Sequence, residues 1–397
     1  MQSYEQSLEN LLNQTPIWQN YERIAISAAM GRILSQDIIA QFDLPSFDTA
    51  AMDGYAVKFD DLKEGQKLKI IGILPAGSEN KFNIKKGECV KTFTGALMSG
   101  ESDTLIPIEN VSVQNDEIII NLPVNLGFAV RKVGESYKKG DLLLKKGTKI
   151  GFGEITLLAE LGICFINVLT KPKVAVLSIG SELLDIGENR LNLSQIYTSN
   201  NIAIANIISN LGCESAILPI IEDDFEKLEN TINQALGTYD AVITTGGVSV
   251  GDFDFMKQIA RSGEIIVDKA AIKPGRHIKI AKFNNKFLFA LPGFSYSAVV
   301  TCLLYFREFA TKLLWQKSDF KFKAILSEDY SKKSNLQEFS AANLINENGV
   351  LKITTKGKKK GSSAISTNLL GNAVLLICPQ NQNELKSGEI VEYLKLC

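Results

Sequence analysis

From about residue 172 to 316, short apolar runs alternate with segments whose apolar positions recur at helical spacing. The run KVAVLSI (173–179) reads as a buried strand. SNNIAIANIISNLG (199–212) follows, with helix-start residues Ser199 and Asn200, apolar Ile204, Ile207, Ile208 and Leu211, and a closing Gly212. AILPII (216–221) reads as a second strand. DDFEKLENTINQALG then sets Phe225, Leu228, Ile232 and Leu236 on one helical face, with Gly237 as a stop. DAVIT (240–244) is a third strand, and the helix-like FMKQIARSG leads to EIIVD (264–268). Strands this apolar, alternating with helices, predict a parallel sheet covered on both faces. YSAVVTCLLYF (296–306) runs straight into Arg307 and Glu308; it is too short to cross a bilayer and predicts a core helix.

Residues 40 to 140 follow a different pattern. Short β-type runs such as KLKIIGIL and EIIINL are separated by glycines, polar turns and prolines, which predicts a small, mostly β domain. The stretch 318 to 397 is again β-rich, with FKAILS, VLKITT, NAVLLICP and IVEYLKL suiting a barrel or sandwich of about five strands. Between 141 and 171 lie a turn-rich entry, the helical GEITLLAELG and the strand-like CFINVL. The whole is α/β plus β, several domains in one chain.

Composition narrows the chemistry. A length of 397 residues with ordinary globular composition suggests about two to four domains. A net charge of −1 offers no general attraction to polyanions, so nucleic acid is a poor partner. The N-terminal MQSYEQSLENLLNQ is polar and amphipathic, unlike a signal peptide. The cysteines are scattered among apolar neighbours with no CxxC pair, which fits free thiols in a reducing cytoplasm. With His277 the one histidine, a His-based zinc site and a Ser-His-Asp triad are poor models. The chemistry falls to carboxylates, lysines and a metal.

The segment TTGGVSVGDFDF (244–255) leaves a predicted strand through Gly246, Gly247, Ser249 and Gly251, then sets down Asp252 and Asp254. Glycines there allow close backbone approach to an anion. Carboxylates beside that anion repel it unless a divalent cation sits between. VLSIGSELLDIGE (176–188) turns at Gly180 and presents Glu182, and Asp223 ends LPIIED. In a doubly wound sheet Glu182, Asp223 and Asp254 emerge at the carboxyl edge, where ligands bind. Helix capping is the plainer role for each acid alone. VDKAAIKPGRHIKI (267–280) supplies Lys269, Lys273 and Arg276 around a Pro274-Gly275 turn, and lysines four apart in an extended segment point to one side. LPGFSYS ends a strand on Pro292-Gly293 and opens a helix whose N–H groups suit an anion. KGKKKGSS (356–363) reads first as an exposed, solubilising loop, with an oxyanion cradle including Ser362 as the alternative.

PSFDTAAMDGYAV, TFTGA, VLSIGSELL, QIYTSN, TTGGVSVGDFDF, AIKPG and LPG occur in the order seen in molybdopterin molybdenumtransferases, the MoeA proteins related to the E domain of gephyrin. The resemblance covers nearly the whole chain. It implies an elongated homodimer whose α/β domain (1–20 and 172–317) is similar to molybdopterin adenylyltransferase. The other implied parts are a linking domain (21–39 and 141–171), a β-rich domain (40–140) and a C-terminal β-barrel-like domain (318–397). The implied cytoplasmic reaction takes adenylylated molybdopterin and molybdate as substrates, requires a divalent cation, commonly Mg2+, and releases AMP. Implied partners are a second copy, the adenylyltransferase and molybdoenzyme chaperones, with no membrane. The implied functional residues are Asp53 and Thr94 from the β-rich domain; Glu182, Asp223, Asp254, Lys269, Lys273 and Pro292 from the α/β domain; and Ser362 from the C-terminal domain. Glu182, Asp223 and Asp254 would hold the cation, and Lys269 and Lys273 the molybdate.

The chain departs from the family pattern at four places. Phe294 and Ser295 follow LPG where an asparagine and a second proline are usual. Ala341 stands where an arginine is expected, Ser136 where an acid is, and Lys273-Pro274-Gly275-Arg276-His277 replaces KPGKP. Lys358 to Lys360 are candidates to replace the arginine. A diverged relative that binds the pterin without turnover, a different magnesium-dependent nucleotide enzyme, and tungstate as the oxyanion are the competing readings.

Overall fold

A computed structural model describes residues 1–248 and 255–396. The chain forms two compact units: Met1–Ser35, Lys149–Gly151 and Phe165–Cys397 make one, Gln36–Thr148 and Phe152–Cys164 the other.

The larger unit opens with helix α1 (Tyr4–Gln14). Its N-terminus is closed by a reciprocal box in which Ser3 and Gln6 satisfy each other's backbone N–H groups. A six-stranded sheet follows, built from β1 (Lys173–Ser178), β2 (Glu214–Ile217), β3 (Ala241–Thr245), β4 (Glu264–Val267), β5 (Lys279–Phe283) and β6 (Lys286–Leu291). The spatial order is β2-β1-β3-β6-β5-β4. Along β1, Val174 and Val176 enter one core with Ile204, Ile208, Phe289 and Phe306. Ala175 and Leu177 enter the opposite core with Leu228, Ile232 and Leu288. That period-two split is what a sheet covered on both faces requires.

The expectation of a wholly parallel sheet is corrected at one edge. β2, β1, β3 and β6 run parallel, but β5 is antiparallel to both β6 and β4. The cause is local: Asn284 takes a left-handed φ of 54° in the two-residue turn between Phe283 and Lys286, and so tight a turn reverses the chain. The second strand is also shorter than AILPII. Its ladder ends at Ile217, and pairing resumes only at an Ile179–Ile221 bridge, because Pro219 has no N–H to donate. Between the strands run α2 (Asn200–Asn210), α3 (Phe225–Thr238), with Gly237 inside its last turn, and α4 (Phe255–Arg261). The expected core helix is continuous through α5 (Ser295–Thr301), a π-helical turn at Cys302–Phe306, and α6 (Arg307–Leu313).

Strands β7 (Lys321–Leu326), β8 (Gln337–Glu347), β9 (Val350–Thr354), β10 (Ala373–Cys378) and β11 (Ile390–Lys395) close into a five-stranded barrel, since β8 pairs with both β9 and β10. Leu326, Ala342, Ile353, Leu376 and Tyr393 fill it. The barrel is stitched to the α/β core by main chain: Ile272–Lys273 runs parallel to β8, with Lys273 opposite Glu338, and the Gln337 N–H donates to Ala271 O at 2.9 Å.

The smaller unit is β-rich, as the 40–140 pattern predicts. Its six strands lie in the order Thr104–Pro107, Gly54–Val57, Glu88–Thr92, Lys67–Leu74, Glu117–Ile120, Val111–Gln114. Two apolar clusters, one around Tyr55 and Ile118, one around Ala56 and Leu105, hold it together. Among the described residues no helix is long and apolar enough to cross a membrane.

Candidate active site

Within the larger unit a cleft of about 1320 Å³ lies between the carboxyl ends of the parallel strands and the barrel. Strand ends supply one wall because a parallel sheet delivers all its outgoing loops to that edge. After β1 come Gly180 and Glu182, beyond β2 comes Asp223, after β3 Gly246 and Gly247, and after β6 Pro292 and Gly293. Gly246 has φ +94°, and a Cβ there would strike the carbonyl oxygen of Ile179, so a side chain is excluded on both counts. Its N–H donates to Leu291 O at 3.1 Å, so what Gly246 offers the cleft is close backbone approach.

The two acids of this wall have different surroundings. Asp223 does not cap a helix; Asp224 does, accepting from the Lys227 N–H at 3.0 Å. Asp223 instead accepts from the Ser181 N–H at 3.2 Å and hydroxyl at 3.4 Å, tying two strand ends together. Glu182 lines the cleft, and its carboxylate has no hydrogen-bond or ion-pair partner among the described residues. Ser249, Gly251 and Asp254 lie outside the described residues. Among the described residues no three candidate ligands converge as a metal site. Two carboxylates facing a cleft still suit a cation such as Mg2+, which keeps waters and takes its other oxygens from substrate phosphates.

The opposite wall carries cations. Lys273, Arg276, Lys332, Lys358, Lys360 and Ser362 line it. Lys273 Nζ lies 3.0 Å from Glu338 Oε1. That carboxylate also accepts from Ser334 Oγ at 2.7 Å and from the Tyr330 hydroxyl at 2.9 Å. Burial alone would raise its pKa, but the bonds from Ser334, Lys273 and Tyr330 hold it below the ordinary glutamate value. Lys332 donates to the carbonyls of Leu336, Pro379 and Gln380. Lys358 donates to Leu370 O at 2.9 Å, and desolvation lowers its pKa. Lys360 Nζ sits 5.2 Å above the Tyr330 ring.

Two expectations are corrected here. KGKKKGSS is no mere exposed solubilising loop: Lys358 to Ser363 line the cleft, and the Ser297 N–H donates to Ser363 O at 3.1 Å, docking the loop on α5. Lys269 and Lys273 are not brought together in the cleft. The Ala270 N–H donates to Arg276 O at 3.1 Å across the expected Pro274-Gly275 turn, and the backbone bends at Ala271, between the two lysines. Lys273 is delivered to the cleft, and Lys269 is not among the residues lining it. Ala341 and Phe294 do line it. Glu338, Tyr330 and Lys332 were not anticipated. The available signal was Gln337-Glu338 opening a strand in which Phe339 packs on the α/β core and Ala342 in the barrel.

In the smaller unit, Asp53 and Thr94 form a pair. Asp53 Oδ1 accepts from the Thr94 N–H at 2.8 Å and hydroxyl at 2.7 Å. These bonds hold the Asp53 carboxyl below the ordinary aspartate range. The expected acid position, Ser136, accepts from Arg131 Nη2 at 3.0 Å.

Three family models match the chain in series: MoeA N-terminal region (domain I and II) over residues 2–162, probable molybdopterin binding domain over 175–312, and MoeA C-terminal region (domain IV) over 323–396. Similar proteins include the molybdopterin molybdenumtransferase of Haemophilus influenzae, 32% identical over 398 residues and 98% of each chain. That of Staphylococcus epidermidis is 30% identical over 94% of this chain and 90% of its own. A solved molybdopterin biosynthesis moeA protein from Pyrococcus horikoshii superposes with a TM-score of 0.85 at 27% identity, covering 100% of both chains. Domain order, barrel closure and near-complete coverage agree, and the chain belongs to the molybdopterin molybdenumtransferase (MoeA) family.

Proposed function

We propose that this chain inserts molybdate into adenylylated molybdopterin and releases AMP, with Mg2+ as the supporting cation. A role in molybdenum cofactor biosynthesis as a transferase follows from family membership. The observation that carries the specific reaction is the polarity of the cleft, with carboxylates at the strand ends facing lysines on the barrel wall. Glu182 and Asp223, with Asp254, are the residues to hold the cation, which when bound neutralises phosphate charge. Gly246, Gly247, Pro292 and Gly293 let the substrate approach the backbone closely. Lys273 and Arg276 face the oxyanion and hold it by charge, so positioning and fixed electrostatics supply the catalysis. Lys269, which does not line the cleft, is retained beside Lys273 as an oxyanion-side lysine on the family resemblance alone. Ser362 completes the oxyanion end. We assign a cytoplasmic homodimer in which Asp53 and Thr94 serve the cleft of a second copy, with the adenylyltransferase and molybdoenzyme chaperones as partners.

Purified protein incubated with adenylylated molybdopterin, molybdate and Mg2+ tests this. AMP release with cofactor formation is expected. Tight pterin binding without AMP release would mark a diverged relative, a reading favoured by Ala341 and by Phe294, 62% exposed where it lines the cleft. Absence of pterin binding would overturn the proposal.

A further inference from the structure

Glu338 is the least expected group in the cleft: a carboxylate on the wall that carries the lysines. Its side chain is 7% exposed, whereas that of Lys273, its ion-pair partner, is 50% exposed. The burial is not incidental. Lys273 and Glu338 are register partners where Ile272–Lys273 joins β8, so the backbone ladder itself sets the ammonium against the carboxylate. Ser334 holds Oε1 and Tyr330 holds Oε2, which leaves the carboxylate one orientation. The ring of Tyr330 in turn carries Lys360, and its hydroxyl is hydrogen-bonded to Ser340. Two lysines from separate segments are thus fixed by one Glu338–Tyr330 unit, one through a charge pair and one over an aromatic face.

We infer that Glu338, braced by Tyr330, is a positioning residue that fixes the Lys273 ammonium in the cleft before any oxyanion arrives. A flexible lysine on a four-carbon stem must otherwise be ordered during the reaction, and prior ordering removes that cost. Glu338 acts through Lys273 and need not touch the substrate. Its negative charge works against anion binding, so its benefit lies in turnover and not in affinity. The functional half of this inference rests on the proposed molybdate insertion; the positioning half does not.

Two measurements separate them. The first is amine labelling of the full-length protein with acetic anhydride, read by peptide mass spectrometry with Lys69 as internal reference. The Glu338 carboxylate tethers Lys273 Nζ at 3.0 Å and restricts its approach to the reagent, so Glu338→Gln is expected to label Lys273 several-fold faster, and Tyr330→Phe to give a smaller rise. Unchanged Lys273 labelling in Glu338→Gln overturns the inference whether or not the wild-type protein turns over. The second is molybdate-dependent AMP release. For Glu338→Gln, kcat is expected to fall about 10-fold or more while the KM for molybdate stays level or drops, the pattern of an interaction realised in the transition state. A raised KM with unchanged kcat overturns the functional half and marks Glu338 as a binding or structural group. Tyr330→Phe keeps the ring under Lys360 and supplies the same readout if the Glu338 variant folds poorly. A wild-type protein that releases no AMP while Lys273 still responds to Glu338→Gln defeats the proposed reaction and leaves the positioning intact.

Discussion

The two walls of the cleft are built on opposite plans. On the strand-end wall Glu182 has no side-chain partner among the described residues, and Asp223 has only Ser181. On the barrel wall most of the charges are already engaged: Lys332 by three carbonyls, Glu338 by three donors, Lys358 by Leu370 O, Lys360 by the Tyr330 ring. Under-satisfied carboxylates are inexpensive while exposed to water and free to take up a cation. Pinned lysines present fixed positive charge without reorganising. On the proposed reaction, the strand-end wall would adapt to its cation and the barrel wall would be set for the oxyanion in advance.

That contrast can be broken from either side. The largest effect is expected at Lys273. Lys273→Gln still donates a hydrogen bond to Glu338 but removes the charge, and kcat for AMP release should fall by about 10²–10³, or 2.7–4 kcal/mol. Melting temperature, measured in parallel, should stay near the wild-type value. On the other wall, Asp223→Asn and Glu182→Gln should each raise the Mg2+ concentration for half-maximal activity by about 10-fold or more. A saturating cation should restore most of kcat, since an adaptable wall can recruit water in place of one oxygen. If Mg2+ dependence is unchanged in both variants, the strand-end wall is not the cation side.

Much of this plan is legible in the sequence, and what is not is hidden for physical reasons. The helices over 199–212 and 223–237 were visible because their apolar positions repeat at helical spacing, and the sheet because β1 is apolar over Val174–Leu177 and β3 over Ala241–Ile243. Glu182 and Asp223 could be placed because a parallel sheet sends its loops to one edge. The antiparallel edge was missed because it depends on one residue, Asn284, taking a left-handed conformation. Lys269 does not accompany Lys273 into the cleft because the backbone bends at Ala271, between the bridge at Ala270 and the short strand Ile272–Lys273. Glu338 was invisible for a deeper reason. Its partner is 65 residues away in the chain, and no local pattern records a contact made when a barrel adds a strand from another domain.

A middle-sized effect belongs to the lysine loop. Replacing Lys358, Lys359 and Lys360 together by alanine should raise the KM for molybdate several-fold, with kcat changed less than in Lys273→Gln. The Lys358 and Lys360 side chains are anchored to Leu370 and Tyr330, so their charge reaches the oxyanion across the cleft. The effect should shrink as salt is raised, because longer-range charge is screened first. A molybdate dependence unaltered in the triple variant would confine the oxyanion side to Lys273 and Arg276.

The smallest expected effect is on stability and distinguishes the walls by pH. Glu338 and Glu328 both have folded-state pKa values below the ordinary glutamate value of 4.5. In each case burial pushes upward, and it is outweighed for Glu338 by Ser334, Lys273 and Tyr330, and for Glu328 by Thr355 and Thr354. A carboxyl whose folded pKa is depressed binds fewer protons folded than unfolded. Its stabilisation is therefore fully present above 4.5 and is lost as pH falls through the folded values. Thermal melts between pH 7 and 3 should show the larger unit softening in that window, by roughly 2–4 °C for each kcal/mol lost. Glu338→Gln cannot titrate, so its melting temperature should fall less steeply over the same range than that of the wild type. Parallel slopes would mean that the bonds around Glu338 contribute nothing to holding the barrel against the sheet, and the pinned wall would lose its energetic basis.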